Sequence, residues 1–410
     1  MPTAAARAVA LARAVRPADT ARAANREAFF STIPGFAADL DGDAYALFSV
    51  HELAPETIAA MRAAAADAYA ILLKTTALVQ TLDDPTLVEL GYPPSTLHLV
   101  RMPHVPACTI ARVDLIFDGE RFRAIEINAD TPGFIMEAHA INGRVCAAFD
   151  RVDPNAGCED ALSRALARAF QDARNPVFTA LGAHVEDRNA TEYLVKLARE
   201  RAIDARFVAL ADLRLTDEAL LDDRGDPIDR LYRNYPIELF AEDRDAAGNP
   251  IGPALFDLIA RERLRIVNPP AAFAMQNKAV YATAWELYER GAYFTADERA
   301  AIARTFVPTW FEAPLRGPYV RKPVYGREGD SVEIVDGERV ERSPFTSYIE
   351  QPSIAQHYVP MPSIAIDDVG TFAYALHGCF LIEGIPGALA LRAGERITSN
   401  ASYFQPVTTR

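Results

Sequence analysis

Four polar residues stand at alternate positions in two apolar runs: Arg112 and Asp114 in IARVDLIF, and Glu126 and Asn128 in FRAIEIN. The turn signal Asp118-Gly119 between the runs makes an antiparallel hairpin. With an odd-numbered loop, Gly119-Glu120-Arg121, position 114 falls opposite 126 and position 112 opposite 128. Opposite residues share a face. One face then carries Arg112, Asp114, Glu126 and Asn128, and the other carries Val113, Leu115, Phe117, Ile125 and Ile127. Two carboxylates and an amide oxygen are hard donors suited to magnesium, which takes oxygen ligands and keeps waters or phosphates in its remaining positions. A merely solvated strand face shows the same alternation, and a two-residue loop would put the acids on opposite faces.

A second group lies in YVRKPVYGREG, residues 319–329. Lys322 near the end of an apolar strand, followed by a Gly-rich turn, can set an ammonium and backbone N–H groups against phosphates. The pattern is not GxxxxGK[ST], so it is no P-loop, and alone it also fits an ordinary hairpin turn. Lys278 in MQNKAVYATAW opens a predicted helix, where a cation opposes the dipole and an anionic partner offsets it. Arg233 and Glu238 in LYRNYPIELF could orient a zwitterionic substrate or form a structural ion pair. There is no GxSxG and no recognisable Cys–His arrangement, and the histidines are isolated, which leaves nucleophilic schemes without support.

These residues need elements to hold them. PETIAAMRAAAADAYAILLKTTALV, from Pro55, predicts a long helix, and the first 100 residues read mainly helical. Residues 158–175 also read as helix. From 176 to 275, PVFTALGAHV, TEYLVKLARERA, ARFVAL and DRLYRNYPI alternate strand and helix, which favours an α/β layer with parallel strands. The last third opens with a helix near Asn277–Arg290 and then turns strand-rich. The expected organisation is a helical region over 1–100, an α/β region with the metal hairpin over 101–275, and nucleotide-binding lobes over 276–410.

Bulk properties exclude several classes. The 410 residues are 50% hydrophobic and 24% charged, ordinary for a soluble protein. The net charge of -14 disfavours nucleic-acid binding and is compatible with a cationic substrate. No apolar run reaches the ~20 residues of a membrane span. The four cysteines, Cys108, Cys146, Cys158 and Cys379, have no metal spacing, and a cytoplasmic location is expected. The first 18 residues carry arginine and alanine without acid; a helix with a frayed start is favoured over a transit peptide.

In order, IARVDLIFDGERFRAIEINADTPG, LYRNYPIE, QNKAV, VRKPVYGREG, YIEQ and ALALRAGERIT resemble the synthetase domain of the glutathionylspermidine synthase family, from about residue 100 to the C-terminus. The resemblance implies a mixed α+β and α/β chain with an ATP-grasp fold, a preATP-grasp-like domain, and a carboxylate activated by ATP as an acyl phosphate for attack by an amine. Asp114, Glu126 and Asn128 would hold Mg2+. Lys278 and Lys322 would meet the phosphates of ATP, with Glu328 and Gly329 in the loop closing over them. Tyr348, Ile349, Glu350 and Gln351 would line the adenine end. Arg112 and Arg392 would be catalytic. Arg112, Thr131, Glu238 and, from its own motif, Arg233 would bind substrate.

Two features depart from the family pattern. The chain has no room for the Cys–His amidase domain of the bifunctional members. Gly133 also stands where a second small hydroxyl residue is expected beside glutathione. The reading is an ATP- and Mg2+-dependent carboxylate–amine ligase releasing ADP and phosphate, with small-molecule substrates and a polyamine among the candidate amines. The rivals are an ATP-binding sensor or scaffold without ligase activity, and a metal-dependent hydrolase that leaves both lysines unexplained.

Overall fold

Helix Pro55–Val79 forms as its sequence predicts, with Pro55 in the first turn, where no amide donor is needed, and Glu56 at the positive end of the dipole. Ile58, Met61, Ala65, Ala68 and Leu72 recur at three- and four-residue spacing and are buried, as is Val79 two turns on. The alanines let the helix lie close under a sheet. Buried Thr75 and Thr76 turn their hydroxyls back onto the Ile71 and Leu72 carbonyls at 2.8 and 2.7 Å, so both are satisfied. Truncating Leu72 to alanine would cost about 2–5 kcal/mol through the cavity it leaves.

This computed structural model describes residues 20–40, 42–103, 108–245, 247–314, 316–366, 368 and 370–410. The N-terminal stretch with two readings therefore lies outside the described residues. No helix among them is long and apolar enough to cross a membrane.

The sheet over that helix is antiparallel, in the order Tyr403–Phe404, Ile385–Gly394, Thr371–Ile382, Ile110–Phe117, Phe122–Asn128, with Ser363–Ile366 pairing beside Thr371–Ile382. The Arg112–Asn128 hairpin is thus bonded to strands from the end of the chain. Alternation gives the sheet two buried faces: Leu389 and Leu391 join the cluster around the long helix, and Ala388 and Ala390 join the other. Gly378 pairs with Asp114 and Phe380 with Arg112. A β-carbon at 378 would sit 3.0 Å from Arg112 Cδ, so glycine leaves room for the arginine to cross the strand.

The predicted parallel layer is present as Arg265–Val267, Arg230–Arg233, Pro176–Thr179 and Arg206–Phe207, in that order and all parallel. Helix Val185–Arg199 lies between two of its strands in sequence. Asn268, just past that sheet, donates to the Ile110 and Ala129 carbonyls at 2.7 Å each and accepts from the Ile110 amide at 3.1 Å. Gln276 Oε1 accepts the Ala129 and Asp130 amides at 3.1 and 2.7 Å. The backbone leaving Asn128 is therefore pinned from two sides. A third, antiparallel sheet runs Thr309–Trp310, Ser353–His357, Tyr319–Pro323, Glu333–Asp336, Arg339–Arg342 and carries Lys322.

Candidate active site

The hairpin closes through four residues, 118–121, with Phe117 opposite Phe122, not through the three-residue loop that the sequence predicts. Asp118 makes the turn: its Oδ1 accepts the amides of Glu120 and Arg121 at 2.9 and 2.8 Å. A four-residue loop alone would set position 114 opposite 125. A bulge at Ile125 absorbs the offset, so Leu115 pairs with Ala124 and Asp114 with Glu126. The bulge also switches parity: Phe122 and Ala124 face the core before it, Ile127 and Ala129 after it. Ile125 and Glu126, though consecutive, both line the cavity, which corrects the placement of Ile125 on the core face. The pairings Asp114–Glu126 and Arg112–Asn128 are those expected.

Arg112 grips Asp114 with two bonds, Nε to Oδ1 at 2.6 Å and Nη2 to Oδ2 at 2.9 Å, and its Nη1 donates to the Gly133 carbonyl at 2.7 Å. Burial pushes the Asp114 carboxyl above its ordinary range, and Arg112 only partly offsets this. Burial works on Glu126 in the same direction, but Lys278 and Lys322 outweigh it and hold that carboxyl at about 2. Asn128 Nδ2 donates to Asp114 Oδ2 at 3.2 Å.

Lys278 Nζ lies 3.3 Å from Glu126 Oε2 and donates to the Gly326 carbonyl at 2.7 Å. Its own amide donates to the Val324 carbonyl at 3.0 Å, so the start of helix Ala279–Glu289 is tied to the Lys322 strand. Lys322 Nζ donates to Gln356 Oε1 at 2.8 Å. Burial lowers the Lys322 ammonium to about 8, against the pull of Glu126. The two lysines and Glu126 come from three separate segments and meet at one wall.

That wall belongs to a cavity of about 310 Å³ lined by Arg112, Glu126, Asn128, Lys278, Lys322 and Arg392, among others. Thr131, Glu328 and Gly329 line it too. Gly329 has φ 72° and lies so close to the Thr398 carbonyl that any β-carbon would collide, which places the Gly-rich turn hard against the 397–398 loop. A second wall is acidic and carries Glu137, Glu186 and Asp187, with His184 and Tyr45. Tyr45 Oη donates to Glu137 Oε1 at 2.8 Å. His184 Nδ1 sits 3.0 Å from Asp187 Oδ2, and chiefly this carboxylate raises the imidazole to about 9.

The family model described as glutathionylspermidine synthase preATP-grasp matches residues 15–410. The chain belongs to that family. A Haemophilus influenzae protein provisionally named an acid–amine ligase is 23% identical over 313 residues, spanning 72% of this chain and 73% of that one. Among solved structures, a glutathione synthetase-like effector from Globodera pallida superposes with a TM-score of 0.59 at 12% identity, covering 95% of this chain and 96% of the other. The fold is accordingly that of the glutathione synthetase-like ATP-grasp proteins.

Several residues singled out in the sequence lie elsewhere. Arg233 and Glu238 do not pair with each other. Arg233 is 1% exposed and bonded through both terminal nitrogens to Asp130, with Nη1 3.0 Å from Oδ2, and it does not line the cavity. Its direct contact with substrate is therefore set aside. Glu238 Oε1 accepts from Arg327 Nε and Nη2 at 2.9 and 2.7 Å, while Arg327 Nη1 donates to Thr131 Oγ1 at 2.9 Å. Tyr348, Ile349 and Glu350 are outside the cavity wall, and Gln351 Oε1 accepts the Tyr325 amide at 3.1 Å. Asp114 is behind the wall, held by Arg112.

Sequence reasoning missed Arg327, Gln356, Tyr45, Glu137, Glu186 and Asp187. Arg327 stands inside the Gly-rich motif and was legible there. Glu186 and Asp187 are first-turn acids of helix Val185–Arg199, a position that any helix favours, so they carried no signal. The donor set on the hairpin fits magnesium by its chemistry. Glu126 and Asn128 line the cavity, and among the described residues there is no all-protein cluster of three or more His, Cys, Asp or Glu side chains. Such a site is completed by water or phosphate oxygens.

Proposed function

We propose that the protein is an ATP- and magnesium-dependent ligase that joins a small-molecule carboxylate to an amine through an acyl phosphate and releases ADP and phosphate. One observation carries the reading: Arg112, Glu126, Asn128, Lys278 and Lys322, from four separate segments of the chain, converge on one cavity. Carboxylate activation is a problem of negative charge, and this wall concentrates cations and hard oxygen donors.

Lys278 and Lys322 bind and orient the β- and γ-phosphates. Arg112 stabilises negative charge on the reacting carboxylate and on the tetrahedral intermediate. Glu126 and Asn128 would hold the magnesium ion, with Asp114 behind them fixing Arg112 and Asn128, and the ion when bound would neutralise phosphate oxygens. The Gly-rich turn, with Glu328 and Gly329, excludes water from a mixed anhydride that hydrolyses readily. Glu137, Glu186 and Asp187 line the same cavity and attract a cationic amine, which makes a polyamine a fitting acceptor. Arg392, which lines the same cavity, would act beside Arg112 and shape the acceptor side of the site.

The deciding experiment measures magnesium-dependent ADP release with amino acids, small peptides and glutathione, each with and without a polyamine. ADP formation that needs both an acid and an amine, and disappears in Asp114→Ala and Lys322→Ala, supports the ligase. AMP and pyrophosphate as products would overturn the acyl-phosphate route. Tight ATP binding without turnover across the panel would favour the sensor reading.

A further inference from the structure

An amine arrives at this cavity as a cation, since alkyl ammonium groups such as that of lysine titrate near ~10.4. It must lose a proton before its nitrogen lone pair can attack. Five carboxylates line the cavity: Glu126, Glu137, Glu186, Asp187 and Glu328. Glu126 is committed to Lys278 at 3.3 Å. Asp187 has both oxygens engaged, Oδ2 with His184 at 3.0 Å and Oδ1 with Asn234 Nδ2 at 2.9 Å. Glu328 is exposed on the closing turn. Glu137 and Glu186 remain.

Glu137 opens a single π-helical turn, Glu137–Ile141, and is 8% exposed. Tyr45 fixes Oε1 at 2.8 Å, while among the described residues no side chain donates to Oε2. The same segment supplies the Gly133 carbonyl that anchors Arg112 at 2.7 Å. Arg112 and Arg392 line the same cavity and both act on the Glu137 charge. Among the described residues no group donates a hydrogen bond to the Glu186 carboxylate, which lines the same cavity as Glu137 and feels its charge. Two carboxylates that repel each other in one cavity ionise together less readily than either would alone. Consistent with this, burial first and Glu137 second raise Glu186 to about 7, and burial raises Glu137.

We propose that Glu137 is the catalytic residue that accepts the proton of the attacking amine, with Glu186 beside it as a positioning residue; this rests on the ligase reading above. The ammonium gives one proton to the Glu137 carboxylate. The freed nitrogen bonds to the acyl carbon, the carbon–oxygen bond to phosphate breaks, and phosphate leaves with that electron pair. The second nitrogen proton goes to the departing phosphate, and Glu137 returns its proton to solvent when the products leave.

Hydroxylamine tests this, because it is uncharged at neutral pH and attacks an acyl phosphate without needing a base. Wild type with ATP, magnesium, the acid panel and hydroxylamine should form a hydroxamate. Glu137→Gln should lose amide formation with the amine by about 10²- to 10⁴-fold, the usual contribution of a general base, with hydroxamate formation far less affected. Raising the pH, which supplies free amine, should restore part of the loss. Glu186→Gln should shift the acid limb of amide formation to lower pH. The charged or titratable groups around the pair are Tyr45, Arg112, Arg392 and Tyr193 on Glu137, and His184, Asp187 and Glu328 on Glu186. No hydroxamate from wild type with any acid would overturn the acyl-phosphate reading and this assignment with it. Hydroxamate from wild type but an equal loss of both products in Glu137→Gln, or no loss of amide, would overturn the assignment alone.

Discussion

Asp114 stands directly across the hairpin from Glu126 and both face cations, yet the two carboxyls shift in opposite directions. Asp114 is bonded by Arg112 and pushed up by burial; Glu126 faces two lysines and is held at about 2. The Glu126 contribution to stability is therefore complete above its unfolded value of ~4.3 and is lost as pH falls through about 2. Replacing Lys278 with methionine removes the largest counter-charge, so the Glu126 carboxyl should titrate at higher pH in carbon-detected NMR. An unmoved titration would refute the pairing. Glu126→Gln should lower magnesium-dependent ADP release by about 100-fold or more, the scale of losing one preorganised charge.

Lys322 gives a second pH signature. Its folded value of about 8 lies below the unfolded value of ~10.4, so keeping it charged costs stability at neutral pH, and that cost fades between about 8 and 10. ATP affinity should weaken above about pH 8, approaching tenfold per pH unit, as the free protein loses the ammonium. In Lys322→Arg, whose charge persists, calorimetry should find a flatter profile. Parallel profiles would mean that another group controls binding.

The Arg233–Asp130 pair is a fold element in this structure. Arg233→Met leaves Asp130 buried without its partner and should cost about 3–5 kcal/mol in urea unfolding. Adding Asp130→Asn should recover part of that loss. Once the single variant is folded, its KM for the acid should stay near wild type. A raised KM at full stability would return Arg233 to the substrate site.

Arg327 ties the Gly-rich turn to Glu238 and Thr131, two residues from separate segments of the chain. Arg327→Ala should speed proteolytic cleavage within 326–331 and raise the ATP hydrolysed per amide formed, because water then reaches the mixed anhydride. It also strands the buried Glu238 carboxylate, so a lower melting temperature is expected. Unchanged cleavage and coupling would show that the turn is held by its contact with 397–398 alone.

The sequence by itself determined the parts whose signal is local. Periodicity gave the Pro55–Val79 helix, alternation gave the parallel layer, and the alternating acids gave a polar face on the 110–128 hairpin. It also placed Lys278 at a helix start and Lys322 on a strand. Tertiary structure alone decided which of these meet. The Ile125 bulge that keeps Glu126 on the cavity side depends on a loop length that Asp118 sets through its own hydrogen bonds. The pairing of Arg233 with Asp130 and of Arg327 with Glu238 joins residues far apart in the chain, and no local pattern records a partner at that distance. The acidic wall was invisible for the same reason. Glu137 and Glu186 belong to separate helical segments, and their mutual repulsion arises only because the fold brings both to one cavity.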